Sequence, residues 1–262
     1  MKNQLNVKQN ASIGSTTTQI AEQNNYYGMS PEEASSLSLK LFLDNFPKLE
    51  AKAMEVAKQR AEEFCNTLIQ QLGARGLHNL EPFAQPDVQF MLCEAQKDYA
   101  RVGTEDLLSM LTSLLTDRIE FDDQFKLKMV INKAIGIAKY LLPEHLDYLA
   151  VILFGKHVHL NASTPDMLCS MLNTHLNLFQ QANIMDFEYL LSLDCCRLMV
   201  GKASVQLAKN HGFDKKALDG KYPKILDIVP GDYGLSQTGL VLAITHINNK
   251  MGPVLKITDW VR

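Results

Sequence analysis

No run of about 18 apolar residues, the least that a membrane-crossing helix needs, occurs in this 262-residue chain. The longest candidate, Leu146 to Leu160, is interrupted by Asp147, Lys156, His157 and His159. The opening residues lack the apolar core of an export signal. The expectation is a chain without a membrane span and with a cytoplasmic location. The phosphate-cradling patterns G-x-x-x-x-G-K-S/T and G-x-G-x-x-G are absent, and so is the nucleophile elbow G-x-S-x-G. Nucleotide binding and serine-hydrolase chemistry therefore lose their usual signatures.

Cysteine is sparse and oddly numbered. Cys65, Cys93, Cys169, Cys195 and Cys196 match neither a disulfide framework nor a zinc motif. Adjacent Cys195 and Cys196, read as helical, would point about 100° apart and not bridge one another. Reduced thiols in a reducing compartment are expected. His157 and His159 form an H-x-H pair that shares a face only on a strand, whereas the context reads as helical. His175 lies too far from Cys169 to share a helical face, and no carboxylate completes a ligand set. No metal, cofactor or catalytic group is expected, and the reading leans away from an enzyme. Asp122-Asp123 and Glu105-Asp106 fall at predicted helix starts, where the macrodipole accounts for them.

What is present favours a helical core. Hydrophobic residues make up 46% of the chain, enough for a sizeable interior, and the net charge of −3 argues against bulk coating of nucleic acid. Ser30-Pro31-Glu32-Glu33 reads as a capping box with proline at the first helical position. The helix that follows carries Leu37, Leu39, Leu41, Phe42, Leu43 and Phe46 and should break or kink at Pro47. A second is expected over 48–72, stopping at Gly73. Further helices are expected from Pro86 to Gly103, from Thr104 through Ile119, over 123–141, from Pro143, from Pro165 to about 182, and from Asp186 through Val200. A short one is expected from about Lys202 to Gly212. Tyr222-Pro223 opens another, and Ser236 caps a helix over 237–250. Leu255, Ile257 and Trp260 read as a terminal strand. The fold class is all-α: a multi-helix bundle with short loops, a polar extended tail over 1–29, a helical domain over 30–220 and a small helix-plus-strand appendage over 221–262.

The tail differs from everything after it. Of residues 1–28, nine are Asn or Gln and five are Ser or Thr, and only Lys2, Lys8 and Glu22 are charged. Short apolar alternations flank Gly14-Ser15, a weak strand–turn–strand pattern. One such tail forms a marginal hairpin at best, whereas many could stack with side-chain amide ladders. Ile13, Gly14, Gln19, Ile20, Tyr26 and Tyr27 are the candidate self-assembly residues. Charge is also uneven. Between Arg197 and Lys224 seven residues are positive and two negative; between Glu94 and Asp123 eight are negative and three positive. Arg197, Lys202, Lys209, Lys215, Lys216 and Lys221 are the candidate polyanion contacts, with nucleic acid as the alternative partner.

The stretch Gln9 to Ile20 (QNASIGSTTTQI) with Asn24 to Ser30 (NNYYGMS) resembles N-terminal segments of bacterial proteins linked to immunity or conflict systems. Pro31 to Leu49 and Leu235 to Trp260 resemble a poorly characterised bacterial all-helical family. The resemblance implies β-templated assembly through the tail and supplies no catalytic residue. The leading expectation is a non-enzymatic protein that assembles with itself or with another protein, in a bacterial defence setting. A polyanion sensor is one alternative, and a hydrolase with an open pocket is another.

Overall fold

In the computed structural model the described residues are 31–79, 81–159, 161–176, 187–198, 212–213 and 233–261. The tail and most of the basic segment lie outside them. The first helix, α1, spans Pro31–Ala74 and passes through Pro47 without ending. Chain contacts divide the protein into residues 1–55 and residues 56–262, with the division falling within α1.

The second unit is built by short helices in sequence. A 3-10 turn at Glu81–Ala84 precedes α2 (Pro86–Val102), α3 (Glu105–Glu120), α4 (Phe125–Ala138) and α5 (Pro143–Lys156). Then come α6 (Pro165–Leu176), α7 (Phe187–Ser192), strands β1 (Cys196–Leu198) and β2 (Tyr233–Leu235), α8 (Gln237–Met251) and a 3-10 turn at Ile257–Asp259. Prolines open α2, α5 and α6, where a missing amide donor costs nothing. Gly103 ends α2 in the left-handed region (φ 72°), its amide donating to the Tyr99 carbonyl at 2.8 Å. Arg60 Nη1 reinforces that end by donating to the carbonyls of Ala100 (3.0 Å) and Arg101 (3.2 Å).

The core lies where α3, α4, α5 and α8 meet. Every residue of α3 from Met110 to Ile119, of α5 from His145 to Lys156 and of α8 from Thr238 to Ile247 is buried. Helices buried all round carry apolar residues all round, as α5 and α8 do, whereas α3 also buries Thr112, Ser113, Thr116, Asp117 and Arg118. Each fully buried Leu, Ile or Val here contributes about 1.5–3 kcal/mol of transfer free energy. The helix expected at the chain's end is thus central to the second unit. β2, just before it, pairs antiparallel with β1 in the register Cys196↔Leu235, Arg197↔Gly234, Leu198↔Tyr233.

Several expectations shift. The helix foreseen from Asp186 to Val200 stops at Ser192: Asp194 takes a left-handed conformation (φ 55°) and the chain turns into β1. Cys195 and Cys196 therefore lie in a turn and a strand, both buried. The foreseen strand at Leu255–Trp260 is irregular chain and a 3-10 turn. Asp122 precedes α4 rather than capping it. With Asp87 it receives the wholly buried Arg118: Nη1 to Asp122 at 2.6 Å, Nη2 to Asp87 at 2.7 Å, with Nε to Asn132 at 3.1 Å. That guanidinium, aided by Gln85, holds the Asp122 carboxyl down at about 2.

Candidate functional site

Of the polyanion candidates only Arg197 is described; it lies exposed on β1. Lys202, Lys209, Lys215, Lys216 and Lys221 fall outside the described residues, as do Ile13, Gly14, Gln19, Ile20, Tyr26 and Tyr27. His157 ends α5 and His159 follows in the loop, so the pair is not helical. Among the described residues no group of three or more His, Cys, Asp or Glu is placed to hold a metal ion. No helix among them is long and apolar enough to cross a membrane.

Among the described residues two features are candidate functional surfaces. The first is the beginning of α1. Every described side chain from Ser36 to Glu55 is exposed. Leu39 and Leu43 are each 58% exposed, Leu41 54% and Leu37 43%. Leu37 with Leu41, and Leu39 with Leu43, are helical neighbours four residues apart, and the two pairs lie on roughly opposite sides of the helix.

The second is a cavity of about 640 Å³ in the second unit. Its wall is formed by the ends of three helices: Ala74 and Arg75 at the end of α1, Asp117, Glu120 and Phe121 at the end of α3, and Asn248 in the last turn of α8. Asn248 fixes the chain that leaves α8. Its Oδ1 accepts from the amides of Val254 (3.1 Å) and Leu255 (3.0 Å), and its Nδ2 donates to the Leu255 carbonyl at 2.8 Å. Arg75 Nη1 donates to Asp117 Oδ1 and, at 3.0 Å, to Glu120 Oε2. Burial pushes the Asp117 carboxyl up to about 6 against the pull of Arg75. Burial opposes the Arg75 charge too, yet Asp117 beside it holds the guanidinium above its ordinary value. A smaller hollow of about 350 Å³ shares Ala74, Arg75, Asn248 and Pro253 with this cavity and adds Gln71, Ser109, Ser113 and Asn249.

A carboxylate and an imidazole also meet in the core. Asp147 on α5 accepts from Lys250 Nζ and pairs with His246 Nε2, both at 2.6 Å and both from α8. Burial would raise the Asp147 carboxyl; the bonds from His246 and Lys250 outweigh it and hold the group below the carboxylate range. Asp147 and His246 are buried in the seam between two core helices, out of reach of a substrate, so the contact braces α5 against α8. The Cys195 and Cys196 thiols are pushed up to about 12 by burial and stay protonated at neutral pH, the inert state of a structural cysteine.

The model of a poorly characterised family matches residues 28–231, more than three quarters of the chain. The chain belongs to this poorly characterised family. The matched span begins just before α1 and ends before β2. No curated protein and no solved structure matches. The family therefore brings no residue roles of its own, and the chemistry has to be read from the chain.

No pattern in the sequence announces the cavity. Its walls come from positions 74–75, 117–121 and 248–258, too far apart for any local spacing to connect. The one local signal was the pair of carboxylates in the last turn of α3, where cations are the favoured company.

Proposed function

We propose that this is a non-enzymatic interaction protein that self-associates through its first 55 residues. The carrying observation is the set of exposed leucines at the start of α1. A helix that shows leucine on opposite sides buries them in an assembly or leaves them in water at a cost. The magnitudes define the role of the tail. Burying the exposed half of four leucines contributes about 1 kcal/mol each, or about 8 kcal/mol for two copies. Association costs about 4–15 kcal/mol in lost freedom. The leucines alone thus support weak pairing. Backbone pairing among the Asn/Gln/Ser/Thr-rich tails supplies the remainder. The resemblance of the tail to segments of bacterial immunity proteins supports a defence setting, in which assembly is the response.

Sedimentation velocity tests the reading. The full chain is expected to form assemblies whose size grows with concentration, and the chain lacking residues 1–28 to fall back to monomers and weak dimers. Equal, monomeric behaviour of both at every concentration contradicts it.

A further inference from the structure

The cavity between the helix ends has a definite electrostatic character. Asp117 and Glu120 bring two negative charges, and Arg75 and Lys256 two positive ones. Side chains alone leave it neutral. The helices do not: α1, α3 and α8 all present their C-terminal ends, each equivalent to about half a negative charge. The helix ends therefore tilt an otherwise neutral cavity toward negative potential. Arg75 shows the kind of group that satisfies such a place, its guanidinium bracketed by both carboxylates. An anion would face those carboxylates at the C-terminal ends of helices.

Phe121, Pro253, Leu255 and Ile257 add an apolar surface around the charged groups, and Asn248 and Thr258 add polar ones. An aliphatic stem fits against such a surface while its charged head reaches the carboxylates. The volume suits a small ligand or a few residues of a peptide. The adjoining hollow is lined by carboxamides and hydroxyls, among them Gln71, Ser113 and Asn249, with Ser113 Oγ 2.8 Å from Asn249 Oδ1. Such groups pair with the amides and carbonyls of an extended main chain.

We infer that this groove binds an extended peptide segment, and that the cavity takes an arginine or lysine of that segment, flanked by apolar residues. The site is independent of self-association through α1 and the tail. It gives the protein a second, sequence-selective contact with a partner.

The test uses the full chain and a fluorescein-labelled Leu-Arg-Leu-Asn-Ser peptide in an anisotropy titration. The control peptide carries citrulline, a neutral isostere, in place of the arginine. The arginine peptide is expected to bind at least about tenfold more tightly than the citrulline peptide, the effect of losing one charged hydrogen-bonded contact. Glu120→Gln is expected to weaken the arginine peptide several-fold, and Lys256→Glu to strengthen it. Both positions are at the surface, and circular dichroism confirms that each variant is folded. Equal binding of the two peptides, no binding of either at millimolar concentration, or variants that leave the arginine peptide unaffected would each overturn the inference. So would tighter binding of a Leu-Glu-Leu-Asn-Ser peptide.

Discussion

Two buried ionisable groups act against each other at mildly acidic pH. Asp117 is raised to about 6 by burial, so in the folded chain it takes up a proton that the unfolded chain does not bind until lower pH. Its contribution to stability therefore grows as pH falls from about 6 to about 4. His157 is lowered to about 4 by burial, and its Nε2 is buried without a hydrogen-bond partner. The unfolded chain protonates this histidine first, so its contribution shrinks as pH falls from its ordinary value of 6.5 toward about 4. The two slopes have opposite sign, and each reaches at most about 1.4 kcal/mol per pH unit. Unfolding free energies in urea at several pH values separate them. Relative to the parent, Asp117→Asn is expected to lose stability on acidification from pH 6.5 to 4.5 and His157→Gln to gain it. Parallel curves for parent and variants contradict these assignments.

At the scale of elements, the starts and stops with a local mechanism were legible. Pro86, Pro143 and Pro165 open helices, Gly103 closes one, and the Ser236 hydroxyl accepts from the Gly239 amide at 3.0 Å to start α8. What failed had a cost that context absorbed. Pro47 removes one hydrogen bond and crowds the preceding turn, about 3 kcal/mol, yet the Ala-, Glu- and Lys-rich residues after it are strong helix formers and α1 continues. The turn at Asp194 needs a left-handed residue with no glycine to announce it. That turn has a tertiary partner that no local pattern reveals. A Cβ added at Gly239 would stand 1.9 Å from the Cys195 carbonyl oxygen, backbone against backbone. Alanine is the better helix former by about 1 kcal/mol. Here overpacking outweighs it, so Gly239→Ala is expected to destabilise by about 1–3 kcal/mol. A thermal melt reads this as a fall of several degrees; an unchanged or higher Tm contradicts the close approach.

For the whole molecule, hydrophobic periodicity announced an all-α bundle, and the described residues form one, with a single short two-stranded ladder. It did not announce that α8 sits at the centre of the second unit. A helix buried on every side has little amphipathic signal, and its partners α3, α4 and α5 lie about a hundred residues earlier. The tail and the leucines of α1 were visible as composition and pattern. The cavity was not, because it exists only once three helix ends converge. The two proposals divide the labour: the first 55 residues would gather copies, and the groove would hold a basic peptide of a partner.

Self-association through α1 is the claim on which this account stands. Its most direct test is sedimentation velocity of the full chain with Leu39→Glu and Leu43→Glu together, run beside the parent from low to high micromolar concentration. Both positions are already in water, so the double variant is expected to keep the parent's helicity and thermal stability while losing its concentration-dependent assemblies. A variant that stays folded and assembles as the parent does would contradict the account.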